Sequence, residues 1–170
     1  MTTQRCSPSP EPRSRFNWTA KINLMPSNPD QRFQDKELTQ LLDLRMRAEM
    51  ASIATIGEAV SRALVRLSVP EEKQLEIGLA VQEALANAVV HGCNNDPTKE
   101  IRCRLQRDGE GRIVIIITDP GPGFRPELLA NPKRGENVFA GHGRGVYLIR
   151  QLMDEVHFEN GGNEIQMWKY

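Results

Sequence analysis

The sequence predicts an α/β fold, in which amphipathic helices pack on a β-sheet. The clearest helix runs from Glu71 to His91, where apolar residues recur at about 100° per residue. The clearest strand is Ile113 to Ile117, an unbroken β-branched run that is typical of a central strand covered on both faces. In Ile101 to Leu105 apolar residues alternate with polar ones, which predicts a strand with one wet face.

Composition places the chain among globular proteins and gives no pointer to nucleic acid. Its 170 residues are 39% hydrophobic and 26% charged, which suits one domain with a substantial core. Lys plus Arg and Asp plus Glu number 22 each, so no basic surplus predicts nucleic acid or an acidic membrane as a partner. We therefore expect neither direct nucleic-acid binding nor membrane insertion.

The cysteines and the N-terminal residues predict a cytoplasmic protein. Cys6, Cys93 and Cys103 are odd in number and lack metal-ligand spacing, so neither disulfides nor zinc are expected. Met1 to Arg15 has no apolar segment like that of a signal peptide, and no run approaches the roughly 20 residues of a membrane span. A reduced, cytoplasmic setting is the resulting expectation.

The first third of the chain is predicted to hold a tail, one strand and helical segments. Met1 to Arg15 offers little to bury and is expected to be a flexible tail, with residues 16–170 as a single domain. Phe16 to Leu24 alternates like a half-buried strand. Gln31 to Leu67 follows a helical pattern, either one helix or two that are broken near Met50.

Turn signals order the rest of the chain. Ser68 to Glu71 predicts a helix start, because proline and acidic residues favour the first turn. The later elements are, in order, a hairpin turn at Asp108 to Gly111, a long loop or lid at Arg125 to Ala140, a helix at Val146 to Met153, and a hairpin of Val156 to Phe158 with Ile165 to Trp168 around Gly161.

One strip of the long helix carries chemistry. Glu83, Asn87 and His91 recur every four residues, so a carboxylate, an amide and an imidazole stack along the helix. The strip is flanked by the apolar residues Leu79, Ala80 and Val90, which predicts little contact with solvent. Such polar groups need partners. Taken alone, the strip fits a hydrogen-bonded helix end as well as it fits a functional site.

Two glycine turns favour the functional interpretation. Residues 119–124 read DPGPGF directly after the central strand, and residues 141–145 read GHGRG directly before the next helix. Glycine lets backbone approach a ligand closely, and helix N-termini attract phosphate. The strip and the two turns, in this order, predict a bound nucleotide.

These segments together resemble the GHKL superfamily of ATP-binding proteins, and within it the anti-sigma-factor serine/threonine kinases. EALANAVVHG (residues 83–92) is similar to the N box of that superfamily, DPGPGF to its first glycine box, and GHGRGVYLIRQLMDEV (residues 141–156) to its second. The resemblance covers Asn17 to Tyr170. It implies a two-layer α/β sandwich with a mixed β-sheet and with helices on one face.

The resemblance also implies roles for individual residues. Asp119 would accept a hydrogen bond from the adenine amino group, and Glu83 would be the general base. Asn87 would be the Mg²⁺ ligand. The remaining implied ATP contacts are Gly121 and Gly123 beside the base and sugar, and Gly141, Gly143 and Gly145 around the phosphates. His142 and Arg144 stand between those last glycines, where each would either contact phosphate or remain a solvated loop residue.

Three functions fit these residues. The first is an ATP- and Mg²⁺-dependent serine/threonine kinase that phosphorylates a small anti-anti-sigma partner and regulates a sigma factor, and that forms a homodimer. The second is an ATP-dependent module that sequesters a partner with little phosphoryl transfer. A histidine-kinase catalytic domain is the third and is disfavoured. Its ATP lid would be short for that class, although Arg125 to Ala140 is long for a loop, and no upstream helical domain with a phospho-accepting histidine is apparent.

Overall fold

The computed structural model describes residues 38–123 and 144–170, which belong to a compact unit spanning Lys36–Tyr170. Its elements are β1 (Thr39–Arg47), α1 (Met50–Arg66), α2 (Glu71–Asn87) with a π turn (Ala88–Gly92), β2 (Glu100–Arg107), β3 (Ile113–Thr118), α3 (Arg144–Leu152), β4 (Glu155–Glu159) and β5 (Glu164–Lys169). The strand predicted at Phe16 to Leu24 and the lid predicted at Arg125 to Ala140 lie outside the described residues.

The five strands form one sheet in the order β1-β2-β3-β5-β4. The central position of β3 is confirmed, and residues 113–117 are buried. The hairpins predicted between β2 and β3 and between β4 and β5 are also confirmed. The four pairings between the described strands are all antiparallel, so the parallel component that a mixed sheet would contain is not found among them.

The helices and the sheet form the two predicted layers around one core. The apolar face predicted for the long helix is confirmed, because Ile77, Val81, Ala84, Leu85, Ala88 and Val89 are all buried. They cluster with Ile56 and Leu64 of α1 and with Ile115 and Met167 of the sheet. Burying each of the larger side chains, the isoleucines, leucines, valines and methionine, contributes about 1.5–3 kcal/mol, so this contact holds the layers together.

Helix α2 begins where the proline and acidic residues of the sequence predict a helix start. Pro70 is the N-cap residue, and Glu71 and Glu72 occupy the first turn, where carboxylates favour the positive end of the helix. At the other end the helix widens, and the Cys93 N–H donates to the Ala88 carbonyl at 2.7 Å. This bond spans five residues, as in a π-helix.

The helix predicted over Gln31 to Leu67 is wrong in its middle part, because Thr39–Arg47 is the edge strand β1. Leu42, Leu44 and Met46 face Leu105, Cys103 and Ile101 of β2. A bulge between Gln40 and Leu42 inserts one residue, and this leaves Leu41 exposed beside the inward-facing Leu42. That doublet of leucines imitates helical spacing, which explains the error.

Leu79 and Val90 are more exposed than predicted. Leu79 is 50% exposed and Val90 is 36% exposed, whereas Ala80 is buried. Because α1 packs on one side of α2 and α3 on the other, the face of α2 that points away from the sheet remains accessible. None of the helices among residues 38–123 and 144–170 is long and apolar enough to cross a membrane.

The β2–β3 hairpin is closed by a buried carboxylate. Asp108 Oδ1 accepts hydrogen bonds from the backbone N–H groups of Glu110 and Arg112, at 3.0 and 2.9 Å. Its Oδ2 accepts from Arg112 Nε at 2.6 Å. Burial opposes ionisation, but these bonds with Arg112 and Glu110 outweigh it and lower the pKa of Asp108 below its usual value.

Replacing Asp108 by alanine should therefore destabilise the fold. Two backbone donors and a guanidinium would lose their acceptor, which costs about 2–3 kcal/mol. Urea titration measures the change, with Glu110→Ala as the control, because the Glu110 side chain is 70% exposed and its ion pair with Arg112 is at the surface. Equal stability of the two variants would show that the carboxylate does not fix the hairpin.

Candidate functional site

A cavity of about 380 Å³ opens between α2, the first turn of α3 and the ends of β3, β4 and β5. The side chains and backbone around it are polar at both ends and apolar between them. They belong to Glu83, Ala84, Asn87, Ala88, His91, Gly92, Ile117, Asp119, Gly123, Arg144, Gly145, Val146, Phe158, Gly162, Asn163 and Ile165. The volume and the mixture of groups suit a small-molecule ligand.

At one end of the cavity, α3 begins directly against the polar strip of α2. A Cβ atom on Gly145 would lie 2.9 Å from Glu83 Oε2 and 3.2 Å from Asn87 Nδ2. Only glycine allows this approach without displacing the two side chains. The first N–H groups of α3 therefore lie beside a carboxylate and an amide.

Local structure fixes the spacing of these groups. Glu83 and Asn87 are one helical turn apart in α2, about 6 Å along its axis. Both are partly buried, whereas His91 in the following π turn is exposed. The strip predicted from the sequence is thus confirmed as a strip that lines the cavity, although its last member reaches solvent.

At the other end of the cavity, Asp119 follows β3 and begins a tight turn. Its Oδ1 accepts a hydrogen bond from the Gly121 N–H at 2.8 Å, and its own N–H donates to the Asn163 carbonyl at 3.0 Å. Burial raises the pKa of Asp119, and the Gly121 N–H and the charge of Lys99 oppose that rise. A carboxylate held in this way retains acceptor capacity for a ligand.

Gly92 is a site residue that sequence reasoning missed. A Cβ atom there would lie 2.6 Å from Asp119 Oδ2 and closer still to Oδ1. The sequence places Gly92 last in the N-box segment and predicts no contact of its own for it. The signal that could have identified it is its position directly after the Glu83–Asn87–His91 strip, where a ligand approaches the end of the helix.

Asn163 was also missed. It lies in the turn of the last hairpin and lines the cavity, and its side-chain Nδ2 donates to the Gly121 carbonyl. Its backbone carbonyl is the acceptor of the Asp119 N–H. The sequence carries no direct signal for this contact, because the two turns are far apart in the chain and are brought together by the pairing of β3 with β5.

Apolar residues form the wall between the two polar ends. Ile117, Val146, Phe158 and Ile165 line this part of the cavity. The guanidinium carbon of Arg150 lies 5.8 Å from the centroid of the Phe158 ring, within the range of a cation–π contact. A flat apolar group such as a purine base would be compatible with these surroundings.

The structure brings together most of the predicted site residues that it describes. Glu83, Asn87, Asp119, Gly123, Arg144 and Gly145 line one cavity, and Gly121 supports Asp119 from within its turn. Gly141, His142 and Gly143 lie outside the described residues. The convergence of α2, the turn after β3 and the start of α3 agrees with the spatial expectation drawn from the sequence.

The donor set in the cavity is compatible with Mg²⁺ that is bound mainly through a ligand. Among residues 38–123 and 144–170, no cluster of three or more His, Cys, Asp or Glu side chains could hold a metal by itself. Magnesium in nucleotide sites takes one or two protein oxygens together with phosphates and waters. Asn87 Oδ1, which lies beside the start of α3, fits that requirement.

Comparison with known proteins identifies relatives of similar sequence. Two curated relatives are named "Serine-protein kinase RsbW". The one from Bacillus subtilis (strain 168) is 27% identical over 142 residues, which cover 79% of this chain and 88% of the relative. The one from Staphylococcus aureus (strain MSSA476) is 28% identical over 144 residues, which cover 81% and 89%.

A solved structure supports the fold. It is the crystal structure of the RsbU and RsbW domains of Rv1364c from Mycobacterium tuberculosis, and it matches with a TM-score of 0.53 at 17% sequence identity. The match covers 76% of this chain and 32% of that chain. The likeness confirms the α/β class predicted from the sequence.

A family model described as "Histidine kinase-like ATPase domain" matches residues 46–169, from the end of β1 to the end of β5. The match includes both polar ends of the cavity and the elements that form it. The chain therefore belongs to the histidine kinase-like ATPase domain family.

Proposed function

We propose that this protein is an ATP-dependent serine/threonine protein kinase of the anti-sigma-factor type. The observation that carries the proposal is the packing of Gly145 on Glu83 and Asn87, in the same cavity that contains Asp119. At one end of the cavity, the carboxylate of Glu83, the amide of Asn87 and the N-terminus of α3 meet. At the other end, Asp119 can accept a hydrogen bond from a nucleobase.

In the proposed complex ATP spans the cavity from Asp119 to the start of α3. The Asp119 carboxylate accepts a hydrogen bond from the adenine amino group, while the apolar wall contacts the faces of the ring. The phosphates meet the N–H groups at the N-terminus of α3, where the helix dipole favours negative charge. Arg144, the first residue of α3, is exposed and supplies positive charge at this end.

Glu83 and Asn87 have separate roles in this proposal. Asn87 supplies an amide oxygen to Mg²⁺, which when bound neutralises phosphate charge. Glu83 accepts the proton of a serine or threonine hydroxyl while the hydroxyl oxygen attacks the γ-phosphorus. One O–P bond forms, the bond to the β-phosphate oxygen breaks, and ADP leaves.

The names of the relatives suggest the protein substrate. Both are called serine-protein kinases, which supports a serine of a protein as the acceptor. From the resemblance to the anti-sigma-factor kinases, we infer that this acceptor is a small anti-anti-sigma protein, and that the chain also binds a sigma factor or related regulator in partner switching. A homodimer in the cytoplasm, with no direct contact to nucleic acid or membrane, completes the proposal. The competing function is an ATP-dependent sequestration module without significant phosphoryl transfer.

Replacing Glu83 by glutamine separates these two functions. Because the amide keeps the shape but cannot accept the proton, transfer of ³²P from labelled ATP to an anti-anti-sigma protein should fall by about 10²–10⁴-fold. ATP affinity, measured by calorimetry, should change little. No label transfer by the unmutated protein, despite tight ATP binding, would favour the sequestration module.

Adenosine binding should weaken at low pH. The ionised Asp119 accepts the hydrogen bond, so affinity is full above its raised folded-state pKa and is lost as the pH falls through that value. Calorimetric titration with adenosine measures the profile without phosphate protonation. Asp119→Asn should bind at least about tenfold more weakly with a flat profile, as expected from losing one charged hydrogen bond.

The same variant tests whether the aspartate only caps its turn. The pKa of Asp119 is raised in the folded state. The protonated carboxyl therefore stabilises the fold below the unfolded-state pKa of 3.8, and this stabilisation is lost as the pH rises through the folded-state pKa. Asparagine can still accept from Gly121, so Tm at neutral pH should not fall. If Asp119→Asn lost stability in proportion to its loss of adenosine affinity, the role of Asp119 would be to cap its turn and not to bind the base.

Gly92→Ala should impair ATP binding without a comparable loss of stability. The added methyl group would displace the Asp119 carboxylate, so we expect the Kd for ATP to rise at least about tenfold. Gly78→Ala is the matched control: it lies in α2, and a Cβ there meets nothing within 4 Å. That control should keep its affinity and gain roughly 0.5–1 kcal/mol of stability.

Unchanged ATP affinity in Gly92→Ala would contradict the placement of the base at Asp119. If Gly78→Ala lost as much affinity as Gly92→Ala, the loss would have to come from α2 as a whole and not from contact with the carboxylate.

A further inference from the structure

The side chain and backbone of Asn163 together contact the whole turn that carries Asp119. The Asn163 carbonyl accepts from the Asp119 N–H at 3.0 Å, and Nδ2 donates to the Gly121 carbonyl. Its Oδ1 lies against Gly123, whose φ of 73° is in the left-handed region. One residue of the β4–β5 turn thus bonds to the beginning and the middle of the 119–123 turn and lies against its end.

These contacts reach the Asp119 carboxylate in two steps. Asn163 Nδ2 holds the Gly121 peptide through its carbonyl, and the Gly121 N–H in turn donates to Asp119 Oδ1 at 2.8 Å. The direction in which Oδ2 points therefore depends on where Asn163 holds Gly121. Gly92 limits the carboxylate on another side, so small shifts of the turn cannot be absorbed there.

We propose that Asn163 is a positioning residue for adenine recognition, which acts by holding Gly121 so that the Asp119 carboxylate presents an oxygen to the adenine amino group. This inference rests on the proposed ATP-binding function. It assigns to Asn163 a contribution to the affinity for the base, and none to the affinity for the phosphates, which lie at the opposite end of the cavity beside Gly145.

The charges around Asp119 make its protonation a useful reporter of this positioning. Lys99 favours the ionised carboxylate, while Asp119 itself raises the pKa of the buried Cys93 thiol, after the larger effect of burial. His91 lines the same cavity. A new negative charge at position 163 would add a like charge and shift the titration of Asp119 upward.

Asn163→Ala tests the proposal when adenosine and magnesium tripolyphosphate are titrated separately by calorimetry. The Kd for adenosine should rise about tenfold, as expected for losing one partly buried hydrogen bond, and the Kd for tripolyphosphate should stay within about twofold. Asn160→Gly is the control in the same turn, because Asn160 is exposed and its φ of 53° suits glycine. It should match the unmutated protein.

Asn163→Asp provides a second measurement. It removes the donor to Gly121 and places a carboxylate near Asp119, so the pH midpoint of adenosine binding should move upward. An unmoved midpoint would show that position 163 does not reach the Asp119 carboxylate, and a higher adenosine Kd at a pH well above the midpoint would report the lost donor to Gly121. The midpoint can be measured even if Asn163→Ala does not fold.

The outcomes distinguish this inference from the function on which it rests. Equal losses of adenosine and tripolyphosphate affinity, or an unmoved midpoint in Asn163→Asp, would overturn the positioning role and leave the kinase proposal intact. Failure of the unmutated protein to bind ATP at all would contradict both.

Discussion

The seating of α3 on α2 is the contact on which the site depends. Gly145 brings the N-terminus of α3 to within van der Waals distance of Glu83 and Asn87, and a larger residue would separate them. At the far end of α3, Lys169 Nζ donates to the Leu152 carbonyl at 2.8 Å and forms an ion pair with Glu76 at 2.7 Å. The short helix is therefore fixed to α2 at both ends.

The opposite end of the cavity is formed by the 119–123 turn and the β4–β5 turn, which pack closely because glycines stand at their contacts. Asp119 lies against Gly92 at the end of α2, and its turn is bonded to Asn163 at the end of the β4–β5 turn. Because β3 and β5 are antiparallel neighbours, the turn after β3 and the turn before β5 lie at the same end of the two strands. The sheet thus sets the width of the cavity, while α2 contributes groups to both of its ends.

Local patterns predicted much of this arrangement. The 100° periodicity of α2 placed its core face correctly, and the strip of Glu83 and Asn87 followed from the same geometry. The β-branched run of β3 identified the central strand. These elements were predictable because each one repeats a single physical pattern over several residues.

The rest depends on pairings that no local pattern shows. Because β1 contains a bulge, its leucines at 41 and 42 break the alternation of a strand and fit a helical spacing. Only the pairing of β1 with β2 shows that the segment is a strand. The contacts of Gly92 and Asn163 with the Asp119 turn join segments far apart in the chain. Their importance comes from tertiary packing, which neither glycine nor asparagine reveals by its own propensity.

A crystal structure with Mg²⁺ and a non-hydrolysable ATP analogue tests the central claim most directly. It should show the adenine amino group about 3 Å from the Asp119 carboxylate and the γ-phosphate beside Glu83, next to the N-terminus of α3. An adenine ring bound away from Asp119, or a Glu83 side chain turned out of the cavity, would contradict the account.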